Sequence, residues 1–114
     1  VTAQPTVAAV AVEATTGGAR FLATRSVPEG YTLIESGFVY GKDVADADTA
    51  LVLENVGNGC YLYKNSNTAA DGQFALTVNT STPGTLYARA YIMVADSDGV
   101  TSVYYADVQN YTVA

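Results

Sequence analysis

Short runs of strand-forming residues recur along the whole chain, and turn-forming residues separate them. Val, Thr, Tyr and Phe fill the runs, whereas Gly, Pro, Asn and Asp stand between them at a spacing of roughly 8–12 residues. The apolar period of a helix is absent. Many short strands at this spacing are typical of an antiparallel sandwich or barrel. The fold class is therefore predicted to be all-β, an antiparallel two-sheet β-sandwich of about seven to nine strands.

About eight strands are predicted, with polar loops between them. The predicted strands cover residues 7–13, 19–27, 33–41, 50–55, 60–64, 73–79, 86–95 and 100–107. Residues 42–49 and 65–72 are predicted loops, and residues 96–99 (DSDG) join the last two strands. Alternation of side chains along the strands selects the residues that face the core. The predicted core consists of Phe21, Phe74, Leu76, Val78, Leu86, Ala88, Ala90, Ile92 and Val103.

The last predicted hairpin decides which tyrosines share a face of the sheet. Arg89 is costly to bury without a partner, so its side of the strand is predicted to be the outer one. If the connecting turn has about two or four residues, Tyr104 also lies on the outer face. There it joins Tyr87, Arg89 and Tyr91 in an exposed patch of aromatic rings around one cation. A three-residue turn would exchange the two faces.

Charge and length limit the partners that the chain can have. The 114 residues fit one domain, and residues 1–6 read as a linker before a single sandwich domain at residues 7–114. The chain begins without Met, which suggests a processed product or an excised piece. Net charge is −6 and the five Lys and Arg residues are scattered, so no nucleic-acid partner is predicted. No apolar run approaches the ~20 residues of a membrane span, so direct membrane insertion is not predicted either.

The residues that catalysis and metal binding usually need are scarce. The sequence has no His, which removes Ser-His-Asp and Cys-His arrangements. Cys60 is the only cysteine, and it is predicted to be a small buried hydrophobe. Asp residues in two loops are weak candidates for a calcium site: Asp43, Asp46, Asp48, Asp96 and Asp98. Neither loop completes a known ligand spacing, and Asp commonly starts turns, so we expect no metal, no cofactor and no enzymatic activity.

Three motifs in order carry a family likeness. The stretches SGFVYGK (36–42), GQFALTV (72–78) and PGTLYARAY (83–91) resemble fibronectin type III-like and immunoglobulin-like domains of bacterial cell-surface or secreted multidomain proteins. The resemblance implies a seven-stranded sandwich with Greek-key connections. Two features depart from the family: Leu86 stands where a corner Tyr is usual, and Phe21 takes the place of a core Trp. The region 50–64 is longer than a minimal connection, and an extra strand or hairpin is expected there.

These observations favour a non-catalytic structural or spacer module of an extracellular or cell-surface bacterial protein. Its expected partners are the neighbouring domains of the same chain. The alternative is an adhesion module that binds a glycan or a protein ligand through the exposed face of Tyr87, Arg89, Tyr91 and Tyr104.

Overall fold

Seven strands in two antiparallel sheets make up the part of the chain that the computed structural model describes, residues 4–57, 60–65 and 71–113. The strands are β1 (Thr6–Thr15), β2 (Gly18–Ser26), β3 (Thr32–Lys42), β4 (Tyr61–Asn65), β5 (Asp71–Asn79), β6 (Gly84–Ala95) and β7 (Thr101–Val113). A four-residue helix, α1 (Ala47–Ala50), and one 3-10 turn (Leu53–Asn55) lie between β3 and β4. The predicted all-β, antiparallel two-sheet β-sandwich is confirmed.

The two sheets differ in size. The smaller sheet has three strands in the order β1-β2-β5, and the larger has four in the order β4-β3-β6-β7. All neighbouring strands are antiparallel. The chain passes from one sheet to the other between β2 and β3, between β4 and β5, and again between β5 and β6. The larger sheet therefore extends one strand beyond the smaller sheet.

The main core lies between the two sheets, where the inner-facing side chains of both meet. Most of the predicted core residues are buried there: Phe21, Phe74, Leu76, Leu86, Ala88, Ala90 and Ile92. The rings of Phe38 and Phe74 join the sheets, with their centroids 5.3 Å apart. Val78 is half-buried because it lies at the edge of the core. Val103 was predicted to point inward but packs on the outer face of the larger sheet.

A bulge in β7 keeps one side of the sandwich closed. Ala106 and Asp107 of β7 together stand opposite the single residue Ala90 of β6. Beyond the bulge Gln109 is buried, and its Nε2 donates a 2.8 Å hydrogen bond to the Ala11 carbonyl of β1. Since β1 and β7 are edge strands of different sheets, this bond ties the sheets together along that side.

The described part of 50–64 contains no strand besides β4, which begins at Tyr61, so the strand predicted at residues 50–55 is wrong. That segment contains the end of α1 and the 3-10 turn, and Leu51 is fully buried against the outer face of the larger sheet. Turns suit this segment because it crosses a sheet face instead of extending a sheet edge. A short apolar run such as ALVLEN fits either a strand or a one-sided turn, so its sequence alone could not decide.

The predicted linker partly belongs to the packed body. Residues 1–3 lie outside the described residues, but Pro5 is buried and the Tyr104 hydroxyl donates a 3.3 Å hydrogen bond to Gln4 Oε1. β1 then begins at Thr6. Within the described part of the chain, neither helical segment has the length and apolar character that a membrane-spanning helix requires.

Gly37 should be hard to replace, because it lies where β3 meets β4 most closely. An added Cβ there would stand 1.9 Å from the Tyr63 carbonyl oxygen. We expect Gly37→Ala to lower the free energy of unfolding by about 1–3 kcal/mol, measured by urea denaturation. The control Thr77→Ala, at an exposed position of β5, should change it by less than about 0.5 kcal/mol. A Gly37→Ala protein as stable as the parent would contradict the close approach of the strands.

Candidate binding site

The predicted Tyr and Arg patch is not an exposed surface. Tyr87, Arg89 and Tyr91 do lie along the outer face of the larger sheet, but the segment between β3 and β4 covers that face. Tyr91 is 0% exposed. The covering side chains are Val44, Ala47, Leu51, Leu53 and Cys60. The predicted patch requires an outer face that is open to solvent. The segment between β3 and β4 covers that face instead.

Tyr104 lies on the opposite face of the sheet from the other three residues, so this part of the prediction is wrong. The connection from β6 to β7 covers residues 96–100, which is an odd number and exchanges the faces. Tyr91 consequently pairs with Tyr105, and Ile92 pairs with Tyr104. Tyr104 packs between the sheets at one end of the sandwich, beside the buried residues Val27, Leu33, Ile92 and Val94.

Tyr105 takes the position beside Arg89 that Tyr104 was expected to occupy. The Arg89 guanidinium carbon lies 4.9 Å from the centroid of the Tyr105 ring, a cation–π contact. Arg89 Nε also donates a 2.8 Å hydrogen bond to the Ala106 carbonyl. The Tyr105 hydroxyl in turn accepts a hydrogen bond from the Leu53 amide, 3.1 Å long. Arg89 and Tyr105 therefore hold the covering segment and the β7 bulge in place.

Tyr91 is a structural tyrosine with a carboxylate partner. Its hydroxyl donates a 2.5 Å hydrogen bond to Glu35 Oε2, and Glu35 Oε1 lies 3.7 Å from the Lys64 ammonium. Burial and the bond to Glu35 raise the pKa of the Tyr91 hydroxyl far above its usual range. The three side chains connect β6, β3 and β4 across the outer face. The buried hydroxyl thus has a partner, which burial of a polar group demands.

Two of the candidate calcium ligands use their carboxylates to accept hydrogen bonds from backbone amides. Asp43 has a positive φ of 51° and accepts a 2.9 Å hydrogen bond from the Thr85 amide. The Asp96 carboxylate accepts hydrogen bonds from the amides of Asp98 and Val100, each 2.9 Å long. Asp46 precedes α1, and its side chain makes no capping bond. The Asp48 side chain lies outside the described residues.

In the described part of the chain, no group of three or more His, Cys, Asp or Glu side chains stands close enough to share an ion. Cys60 is buried in the outer-face cluster, and its Sγ donates a hydrogen bond to the Asn55 carbonyl at 3.2 Å. Burial raises the pKa of the Cys60 thiol. The prediction of Cys60 as a small buried hydrophobe is confirmed.

An open groove lies on the side of the sandwich between the edge strands β4 and β5. It has a volume of about 170 Å³, and its lining residues are Tyr40, Gly41, Lys42, Tyr61, Val78, Asn79, Thr80 and Leu86. It exists because β4 extends past the smaller sheet, so that no other described strand covers the side of β4 that faces that sheet. The exposed Tyr61 ring packs against Tyr40, with 5.7 Å between centroids and 38° between planes. We define this feature as the edge groove.

Sequence reasoning missed the edge groove although its residues carried a signal. Tyr61 and Tyr63 alternate with Leu62 in a short strand, so two rings share one face. Whether that face meets a core or solvent depends on the order of strands in the two sheets. The sequence does not state that β4 is an edge strand without a facing partner.

Removing the Tyr91 hydroxyl should destabilise the fold, and the effect should fade at high pH. At about pH 8, Tyr91→Phe is expected to cost about 1.5–3 kcal/mol of unfolding free energy, because Glu35 loses its donor. Since the folded-state pKa is raised, Tyr91 contributes stability fully below the unfolded pKa of about 10 and loses it as pH rises. The difference between the two proteins should therefore shrink by about 1.4 kcal/mol per pH unit above about pH 10.

Urea denaturation at several pH values measures this difference. The matched control is Tyr87→Phe, at a half-buried position on the same face of β6, which should change stability by less than about 0.5 kcal/mol at every pH. A Tyr91→Phe deficit that stays constant or grows above about pH 10 would rule out a neutral, buried hydroxyl donating to Glu35.

Comparison with known proteins gives no assignment. Neither the known protein families nor the curated proteins nor the solved structures include a match to this chain.

Proposed function

We propose that this chain is a non-catalytic structural module that spaces or supports neighbouring domains in an extracellular or cell-surface bacterial protein. The observation that carries the proposal is the placement of the first and last strands. β1 begins beside the last residues of β6, and β7 finishes beside the first residue of β6. Chain segments attached before β1 and after β7 would then leave in opposite directions, as a spacer requires.

Strand pairing gives the distance between these two points. Gln4, just before β1, bonds to Tyr104, which packs beside Ile92 and Val94 near the end of β6. Val113, the last residue of β7, pairs with Gly84, the first residue of β6. Ile92, the β6 partner of Tyr104, lies eight residues from Gly84, so the two points are separated by about 27 Å at the usual rise per residue. The body itself measures 46 × 25 × 23 Å.

The strand order supports a fibronectin type III-like sandwich. In the constant-type immunoglobulin arrangement, the fourth strand joins the sheet of the first, second and fifth strands. Here β4 pairs with β3 in the other sheet. This order agrees with the likeness carried by the motifs at 36–42, 72–78 and 83–91. Domains of this architecture commonly occur on cell surfaces, and the proposed location follows from that resemblance.

The non-catalytic part of the proposal is supported by what the reactive side chains do. Tyr91 and Glu35 bond to each other, Cys60 is buried, and the carboxylates of Asp43 and Asp96 accept hydrogen bonds from backbone amides. We do not propose adhesion through Tyr87, Arg89, Tyr91 and Tyr104, because these residues form no common exposed surface.

Tandem copies provide the test of a spacer. Head-to-tail fusions of two and three copies should lengthen by about 46 Å per added copy in small-angle X-ray scattering, since each body aligns along its long axis. A control fusion with a long Gly/Ser linker should show no fixed increment. Increments near the 25 Å width would mean that the copies fold back side by side, and the spacer proposal would be abandoned.

A further inference from the structure

The edge groove combines an aromatic platform with a positive charge. Tyr61 is 61% exposed, although one side of its ring packs against Tyr40. A large ring that stays exposed beside another ring offers a flat apolar surface with a polar hydroxyl at its rim. Leu86 and Val78 add apolar surface at the base of the groove. This arrangement suits a ligand with one flat, weakly polar face.

Lys42 supplies the charge at the end of the groove. Its ammonium group bonds to the Thr82 hydroxyl, which fixes its position. Across the described residues, no carboxylate lies within ion-pairing distance of Lys42, whereas the exposed Lys64 pairs with Glu35. The neighbouring Asp43 carboxylate accepts its bond from the Thr85 amide. Lys42 is therefore available to an anionic group of a ligand, and among the described residues it is the one charged side chain that lines the groove.

The size of the groove and the net charge of the chain restrict the class of ligand further. The groove, with a volume of about 170 Å³, is smaller than the pockets of about 300 Å³ or more that hold drug-sized ligands, so it contacts about one ring of a ligand. Asn79 and Thr80 line the wall on the β5 side and bring polar groups to the edge of the ring. The chain carries a net charge of −6, which repels a long polyanion. One carboxylate on one ring fits these limits best.

We propose that the edge groove binds a single acidic sugar residue, a hexuronate. Its ring stacks on Tyr61, its carboxylate pairs with Lys42, and its hydroxyls meet the polar wall at Asn79 and Thr80. This site is separate from the spacer role, which depends on the ends of the long axis and not on the side of the sandwich. Failure of one proposal leaves the other unaffected.

Nuclear magnetic resonance titration with methyl α-galacturonide tests the proposal. We expect shifts at the amides of Tyr61, Lys42 and Asn79 and a Kd on the order of 1 mM, as befits a small open site. The neutral methyl α-galactoside should bind about tenfold more weakly, because it lacks the carboxylate. Shifts that are absent, that lie elsewhere on the protein, or that are equal for the two sugars would overturn the proposal.

Matched variants separate the groove from the rest of β4. Tyr61→Ala and Lys42→Gln should each weaken binding of the uronate about tenfold. The controls are Tyr63→Ala, an exposed ring on the same strand outside the groove, and Lys64→Gln, the lysine paired with Glu35. Both controls should bind like the parent, and the amide spectrum of each variant verifies its fold. Equal losses in variants and controls would contradict a site at Tyr61 and Lys42.

An extended peptide is the alternative ligand that would replace the uronate if the sugar does not bind. The free edge of β5 pairs only with β2 among the described strands, so an extended peptide could add there as a further strand. A nine-residue peptide with alternating Thr and Val is the probe for that case. Shifts along β5 with this peptide, in a protein that ignores the uronate, would replace the sugar proposal with strand addition.

Discussion

Burial of β6 on both faces is the constraint on which the rest of the structure depends. Its inner side chains, among them Ala88, Ala90 and Ile92, pack against the three-stranded sheet. Its outer face carries Tyr91, which must also be covered, and three strands on the far side cannot do that. The segment between β3 and β4 meets this need by crossing the outer face as short turns with Leu51 inserted.

The segment between β3 and β4, which covers the outer face, changes what that face can do. Tyr91 is a core residue, and its buried hydroxyl requires the Glu35 carboxylate as a hydrogen-bond partner. Arg89, half-buried on the same face, stacks on Tyr105 and bonds to the Ala106 carbonyl at the β7 bulge. The aromatic surface available for recognition is consequently found elsewhere, on Tyr61 of the edge strand β4.

Unequal sheets explain the two sides of the sandwich. Along one side, Gln109 of β7 bonds to β1 and joins the edges. Along the other, β4 has no strand facing it, because the smaller sheet ends at β5. The uncovered side becomes the edge groove, with Tyr40 and Tyr61 as its platform. The same elongated body separates the start of β1 from the end of β7.

The fold class was accessible from sequence because period-2 alternation is a local property. Residues 73–79 show this well, since Phe74 and Leu76 point to the core as their spacing requires. The sequence does not show on which face of the sheet Tyr104 lies, because that depends on a connection of odd length held by the Asp96 carboxylate. Whether residues 50–55 form a strand or turns, and whether Tyr61 is exposed, depends on which strands face each other. That is a property of the whole fold.

Tyrosine nitration followed by peptide mass spectrometry tests the central claim, that the chain covers its own outer face and leaves the aromatic surface at the edge groove. In the native protein Tyr61 should react readily, whereas Tyr91 should stay unmodified until urea unfolds the chain. This order is expected because Tyr61 is 61% exposed and Tyr91 is 0% exposed. Native-state nitration of Tyr91 as fast as that of Tyr61 would contradict it.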